Sequence, residues 1–324
     1  MRKIVRSAFA LGALLVPALP AAPALAQPKT YVSNTGNDFN SCVIVGAACA
    51  TFAGALAKTN PGGEITVLNI GEYGPVVINK SINITNDGAG EASILAPASG
   101  VGIDINAGVG DIISLRGLVI DGQGVGNIGI FIEQASAVHI QNCVIRNFEQ
   151  DSAHGLFASS SHNMKLFVSD TLIFNNGRGV ASGGIVIVPL GTATAGAVLD
   201  RVRLENNVIG LRVAGGSSTG NGAHAVLRDS VVSGNASHGI SATSSLGQAP
   251  ALIAVERTSS VNNAGTGIIA VGPHAVVLLH DNTVARNGVG ISATATGQLI
   301  SYGNNKVNNN LGADGVPTGS YSPI

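Results

Sequence analysis

Five residues that could move a proton or hold an anion fall in one short stretch and its neighbour. Arg146, Glu149, Asp151 and His154 lie in RNFEQDSAHG (146–155), and Arg178 lies in NNGRGVASGG (175–184). A histidine can take or relay a proton near neutral pH, a carboxylate can orient it, and a guanidinium can neutralise an acid group on a bound molecule. The chemistry such a set would serve is acid–base work on an anionic substrate. The same residues can equally form solvated ion pairs on a turn that does nothing else. Which reading holds depends on the backbone that carries them.

That backbone is repetitive. DRVRLENNVIGLRV (200–213), DSVVSGNASHGISA (229–242), RTSSVNNAGTGIIA (257–270) and DNTVARNGVGISA (281–293) are copies of one phrase. Recurrence of this kind marks a solenoid, each copy being one coil stacked on the last. The glycine opening G-[IL]-x-[hydrophobic] falls at Gly129, Gly155, Gly184, Gly210, Gly239, Gly267 and Gly290, in steps of 23 to 29 residues. The alternate residues after it are apolar, which is the period of a strand with one face inward. A second strand (VHIQN, LFVSD, AVLD, AVLRD, LIAVER, VVLLHD) precedes each turn. Stacked coil on coil, these strands form parallel sheets.

An asparagine follows an aspartate by six residues at Asp170/Asn176, Asp200/Asn206, Asp229/Asn235 and Asp281/Asn287. Arg257/Asn263 and Asn304/Asn310 keep the spacing. Asn tolerates left-handed backbone and can hydrogen-bond along a stack, so this column reads as structure. The aspartates read as turn residues. Arg228, Glu256 and His280 should stand side by side as a lateral ion-pair ladder.

The phrase falters at the two long turns after Arg146 and Asn176. Coils lie about 5 Å apart, so Arg146, Glu149, Asp151, His154 and Arg178 could meet over one patch. Beside it the outward positions Phe131, Phe157 and Val186 stack into an apolar ridge, where later coils carry Arg212, Ser241 and Ser292. A ridge beside mixed charges could hold a sugar ring and its carboxylate. Alternatively, the long turns fold over the ridge and bury it.

The ends and the composition place the chain. Residues 1–26 read as a signal peptide, with Arg2, Lys3 and Arg6 before a short apolar run and Ala24-Leu25-Ala26 at the cleavage site. Removing it leaves 14 of the 17 basic residues against 18 acidic ones. That balance disfavours nucleic acid, and no later segment could span a membrane as a helix. Only 11% of residues are charged, Gly numbers 44 and Trp is absent, as expected of many short strands and tight turns. Cys42 and Cys49 can pair in an exported protein, whereas Cys143 sits in a strand pattern and reads as a small hydrophobe. Residues 27–63 should form an N-terminal strand and helix cap, with Phe52, Ala55 and Leu56 at helical spacing. Residues 64–312 should form the solenoid, and 313–324 a C-terminal tail.

The residues Y-V-S-x-x-G-x-D (31–38), F-x-x-A-L (52–56), G-G-E-I-x-V-L (62–68) and the N-x-x-G-I-x-A coils resemble exported proteins of the pectin-lyase-like superfamily. The resemblance covers about 30–312. It implies an all-β fold: a single-stranded right-handed parallel β-helix (solenoid) with a short N-terminal capping helix. It does not select a function, because that superfamily includes lyases, hydrolases, esterases, epimerases and non-catalytic surface proteins. No N-T-D, D-D, G-H-G or D-P-H-D occurs, and Gly272-Pro273-His274-Ala275 lacks both carboxylates of the last. His154 and His238 share a column but lie three coils, about 14 Å, apart, too far for one metal. No cofactor and no metal are expected. The expectation is a secreted or periplasmic, monomeric, non-catalytic β-helix presenting a surface to polysaccharide or to a cell-surface protein. The alternative is a polysaccharide lyase or glycoside hydrolase acting on uronate-containing glycans, with Arg146, Glu149, Asp151, His154 and Arg178 as its site.

Overall fold

Each coil alternates short apolar runs with tight corners, and the corners set the fold. In one coil Val138 and Ile140, then Ile145, then Leu156 and Ala158 point inward and are buried. Their strands are Ala137–Gln141, Val144–Arg146 and His154–Ala158. Two corners lie between these three strands. The first is held by left-handed backbone at Asp170, Arg201, Asp229, Arg257 and Asp281. The second is held by the same conformation at Asn147, Asn175, Asn206, Asn262, Arg286 and Asn309. The structure is a computed structural model describing residues 28–216 and 218–322, so the expected signal segment lies outside the described residues.

Repetition of the coil gives three parallel sheets of 12, 10 and 9 strands, wound in that order. The sequence pattern calls for two strands per coil; the structure has three. The additional one, such as Leu172–Phe174 or Val231–Ser233, has only three residues and a single inward side chain, too few to show a period. The inward column of the nine-stranded sheet runs Ile130, Leu156, Ile185, Leu211, Ile240, Ile268 and Ile291 in direct register, as the glycine spacing requires.

A buried asparagine ladder locks the second corner. Nδ2 of Asn176, Asn235, Asn263 and Asn287 donates to Oδ1 of the next asparagine at 2.8–3.0 Å. The backbone N–H of Asn207 donates to Asn235 Oδ1 at 3.0 Å. The ladder passes through Asn207, not Asn206, which correctly belongs to the corner itself. The same one-residue shift affects Asp200. Asp200 aligns with Arg228 and Ser169, while Arg201 takes the corner position beside Asp170 and Asp229. The corner column therefore alternates in charge: Asp170, Arg201, Asp229, Arg257, Asp281. Arg201 bonds Asp170 at 2.7 and 2.9 Å and also contacts Asp200, and Arg257 bonds Asp229 at 2.8 Å through two nitrogens. Arg228, Glu256 and His280 do stand in register, but Arg228 pairs with Asp200 at 2.9 Å and Glu256 lies 3.8 Å from Arg257.

The glycine column has a packing cause. A Cβ at Gly239 would stand 2.6 Å from Gly267 O and 2.8 Å from Asn263 Nδ2, so the strand can approach the ladder only without a side chain.

The first coil is closed as expected. A helix, Phe52–Leu56, starts at Thr51, whose hydroxyl accepts from Gly54 N, and buries Phe52, Ala55 and Leu56. Phe52 packs on Tyr73 with ring centroids 5.2 Å apart. Lys80 Nζ donates to Leu56 O and Thr59 O at the C-terminal end of that helix, where cations are favoured. Cys42 and Cys49 are disulfide-bonded, and Cys143 is free and buried, its thiol pushed up to about 11 by burial. At the other end the tail residues Ala313 and Asp314 accept the backbone N–H groups of Gly290 and Ile291, and Gly319–Ser320 adds to the twelve-stranded sheet.

Asn235→Ala removes a donor from Asn263 Oδ1 and Leu204 O and leaves the buried Asn207 N–H without its acceptor. A loss of about 3 kcal/mol is expected in urea unfolding. Arg257→Ala, on the exposed charge column, should shift the midpoint far less; equal shifts would contradict the ladder's structural role.

Candidate ligand groove

The nine-stranded sheet presents one column of outward side chains: Val77, Asp104, Phe131, Phe157, Val186, Arg212, Ser241, Ile269 and Ser292, each in register with the next. Parallel pairing fixes their spacing at about 4.8 Å per coil. The rings of Phe131 and Phe157 stack at 5.5 Å with 8° between their planes. His154 lies on the same face and stacks on Phe157 at 4.6 Å.

This face is a groove rather than a flat surface. A cleft of about 620 Å³ is lined by His154, Phe157, Val186 and Arg212, with Ser244, Leu246 and Pro273 among its wall residues. His274 Nδ1 bonds Gln248 O at 2.8 Å, joining two segments of that wall. On the Phe131 side a second hollow, of about 360 Å³, is lined by Phe131, Asn106, Glu133, Gln134, Ser159, Ser161 and Leu190. Phe157 lines the first and Phe131 the second, so the stacked phenyl pair runs from one to the other. The ridge thus has two fates: Val186 is 3% exposed, with Ala181 of the long turn lining the cleft nearby, while Phe131 and Phe157 are half-buried.

Side chains of this face carry buried polar atoms that nothing in the protein satisfies. Among the described residues, three buried side-chain atoms lack a hydrogen-bond partner: Asp104 Oδ1, His154 Nδ1 and Arg212 Nε. All three belong to this face. Burial, then the charge of Arg212, pushes His154 down to about 4, so the ring is neutral at pH 7. Burial, then Glu133, holds the Asp104 carboxyl above the usual carboxylate range. Asn106 Nδ2 donates to Glu133 Oε2 at 2.7 Å.

The five residues singled out by type and spacing do not converge. Arg146 turns to Asp121 at 2.8 Å on the ten-stranded sheet. Glu149 and Arg178 do meet, at 3.1 Å, as a solvent-facing pair. The Asp151 side chain is exposed, and its carbonyl accepts from Ser182 Oγ and Gly179 N within the turns. His154 alone reaches the groove. Glu133, which lines the second hollow, and Asp104, next to Phe131 in the outward column, are additional residues of this face. Gly102-Ile103-Asp104-Ile105 obeys the G-[IL]-x-[hydrophobic] phrase, so extending the glycine column one coil back from Gly129 places Asp104 below Phe131. Among the described residues there is no group of three or more His, Cys, Asp or Glu placed to hold a metal ion, and no helix long and apolar enough to cross a membrane.

Three stacked parallel sheets wound in one sense define a right-handed parallel β-helix of the pectin-lyase-like fold. The chain belongs to the family described as the right-handed beta helix region, whose signature matches residues 128–311. Among solved structures it is similar to pectate lyase Pel9A, with 15% identity over 91% of this chain and 80% of that one and a TM-score of 0.63, a likeness of fold. It also aligns with ORF18 of Geobacillus virus E2, with 14% identity over 76% of this chain and 52% of that one and a TM-score of 0.36. No curated protein matches the sequence.

His154 gives the groove a measurable pH signature. Its folded pKa of about 4 lies below the unfolded value near 6.5. Between those values the unfolded chain binds more protons, so stability is complete above pH 6.5 and falls as the pH drops toward 4. The loss from this group is on the order of 3 kcal/mol. His154→Gln should lack that limb, so the stability difference between the two proteins should vary with pH across this window. Parallel profiles would contradict the buried, neutral imidazole.

Proposed function

We propose that this protein is an exported β-helix that binds an extended polysaccharide along the outward face of its nine-stranded sheet, without cutting it. The observation that carries the reading is the stacked phenyl pair in the middle of one outward column, with Asp104 on one side of it and Arg212, which has no counterion among the described residues, on the other. An unsatisfied buried polar atom costs about 1–3 kcal/mol. Three of them, Asp104 Oδ1, His154 Nδ1 and Arg212 Nε, belong to side chains of this one face, a concentration that calls for an explanation. A sugar chain supplies the complement: an apolar ring face for the phenyl groups and hydroxyls for the polar ones.

The spread of the polar groups favours holding over cleavage. Asp104 and Arg212 are four coils, about 19 Å, apart, so they do not converge on one bond. A lyase or hydrolase built on Arg146, Glu149, Asp151, His154 and Arg178 draws support only from His154, because the others face elsewhere. Pectate lyase Pel9A acts on pectate by its name, and a shared fold does not carry that substrate across.

The test is retention on immobilised polysaccharides, with circular dichroism as a control for folding. The wild type should bind at least one glycan, and Phe131→Ala/Phe157→Ala should bind it at least about tenfold more weakly, a change near 1.4 kcal/mol. Failure to bind any glycan, or equal binding by the double variant, would overturn the groove as the site. New reducing ends or unsaturated uronates would overturn the non-catalytic part.

A further inference from the structure

Resting on the glycan-binding reading, we infer that the groove selects a mixed glycan: a run of neutral sugars bearing a single anionic group, seated at Arg212. Arg212 is a half-buried cation without a counterion. Arg116, Arg146, Arg178, Arg201, Arg203, Arg228 and Arg257 all sit in ion pairs, and the exposed Arg286 is the only other arginine among the described residues that does not. Its in-register neighbours are Val186 and Ser241, and it shares the cleft with Phe157, Ala214, the hydroxyl residues Thr243 and Ser244, and the ring of His154, which is 8% exposed. A guanidinium in such a wall lacks one anion, and its fork suits a planar carboxylate or a sulfate ester. Burial keeps the imidazole of His154 neutral, so it adds no second positive charge to the wall.

The far end has the opposite character. Asp104 and Glu133 lie together with no cation within ion-pairing distance among the described residues, and one Asp104 oxygen is buried and unpartnered. That end accepts hydroxyl donors and repels a further carboxylate. The floor between the ends is apolar: Phe131, Phe157 and Val186. Phenyl faces carry negative quadrupole charge and disfavour anions stacked on them. A homopolyuronate would set carboxylates on the rings and against Asp104 and Glu133. A neutral chain with one acid group fits end to end, with the acid at Arg212 and hydroxyls along the rest.

Isothermal titration of the full chain with four probes of similar length decides this: xylohexaose, a xylo-oligosaccharide carrying one glucuronate, its monosulfated counterpart, and hexagalacturonate. A singly anionic probe should bind at least about tenfold more tightly than both xylohexaose and hexagalacturonate, and the tighter of the uronate and sulfate probes identifies the anion. Arg212→Met should bring the singly anionic probes down to the level of xylohexaose. Asp104→Asn/Glu133→Gln should raise hexagalacturonate affinity while sparing xylohexaose. Hexagalacturonate binding tightest to the wild type, or an unchanged preference in Arg212→Met, would overturn the inference while leaving glycan binding in place. Absence of binding by every probe and every polysaccharide tested would instead remove the glycan reading itself. Matching thermal midpoints keep the variants interpretable.

Discussion

Asn235 donates its side-chain amide to Asn263 and accepts the backbone N–H of Asn207, and backbone N–H to side-chain oxygen bonds link every step from Asn176 to Asn310, with a side-chain bond beside each except at Asn207. Each coil has a core only a few side chains wide and could not fold alone. What makes the stack single-valued is register. A parallel strand slipped by one residue would turn every inward isoleucine outward. The ladder prevents that, because a slip would leave several buried amides without partners. The glycine column is the counterpart of the ladder, leaving room for the strand beside it.

Register at the second corner also aligns the groove, because the nine-stranded sheet starts there. The same pairing that stacks Ile130 on Leu156 stacks Phe131 on Phe157 and aligns Val186 with Arg212. No loop needs to order for these side chains to form a line. A scaffold rigid on this scale can keep polar atoms unsatisfied at Asp104, His154 and Arg212, because the cost falls locally while the stacked coils hold the backbone. The acidic end, the aromatic floor and the basic end then follow from which residue each coil places at one position of its phrase.

Much of this was legible in the sequence. The glycine and asparagine periods gave the solenoid, the inward column and the outward ridge, because burial imposes a strict alternation that repeats coil after coil. The cap helix was legible from Phe52, Ala55 and Leu56. The three-residue strands were not, since one inward residue per strand carries no period. The corner column was misaligned at Asp200 because matching by residue type favoured an aspartate, where opposite charge places Arg201 between Asp170 and Asp229. The candidate site was legible only in part. Spacing placed His154, Phe131, Phe157 and Arg212 on neighbouring coils. It could not say which way a long turn points its charges, and Arg146 satisfied itself at Asp121 while Glu149 and Arg178 met away from the groove. Asp104 obeyed the phrase one coil earlier than the copies that define it.

The location of the ligand is the claim on which the functional account stands. A crystal of the protein soaked with an oligosaccharide that it retains tests that directly. The account predicts ordered sugar rings over Phe131 and Phe157, on the stretch of the outward face between Asp104 and Arg212. Sugar bound instead on the twelve-stranded sheet, with the groove of the nine-stranded sheet empty, would contradict it.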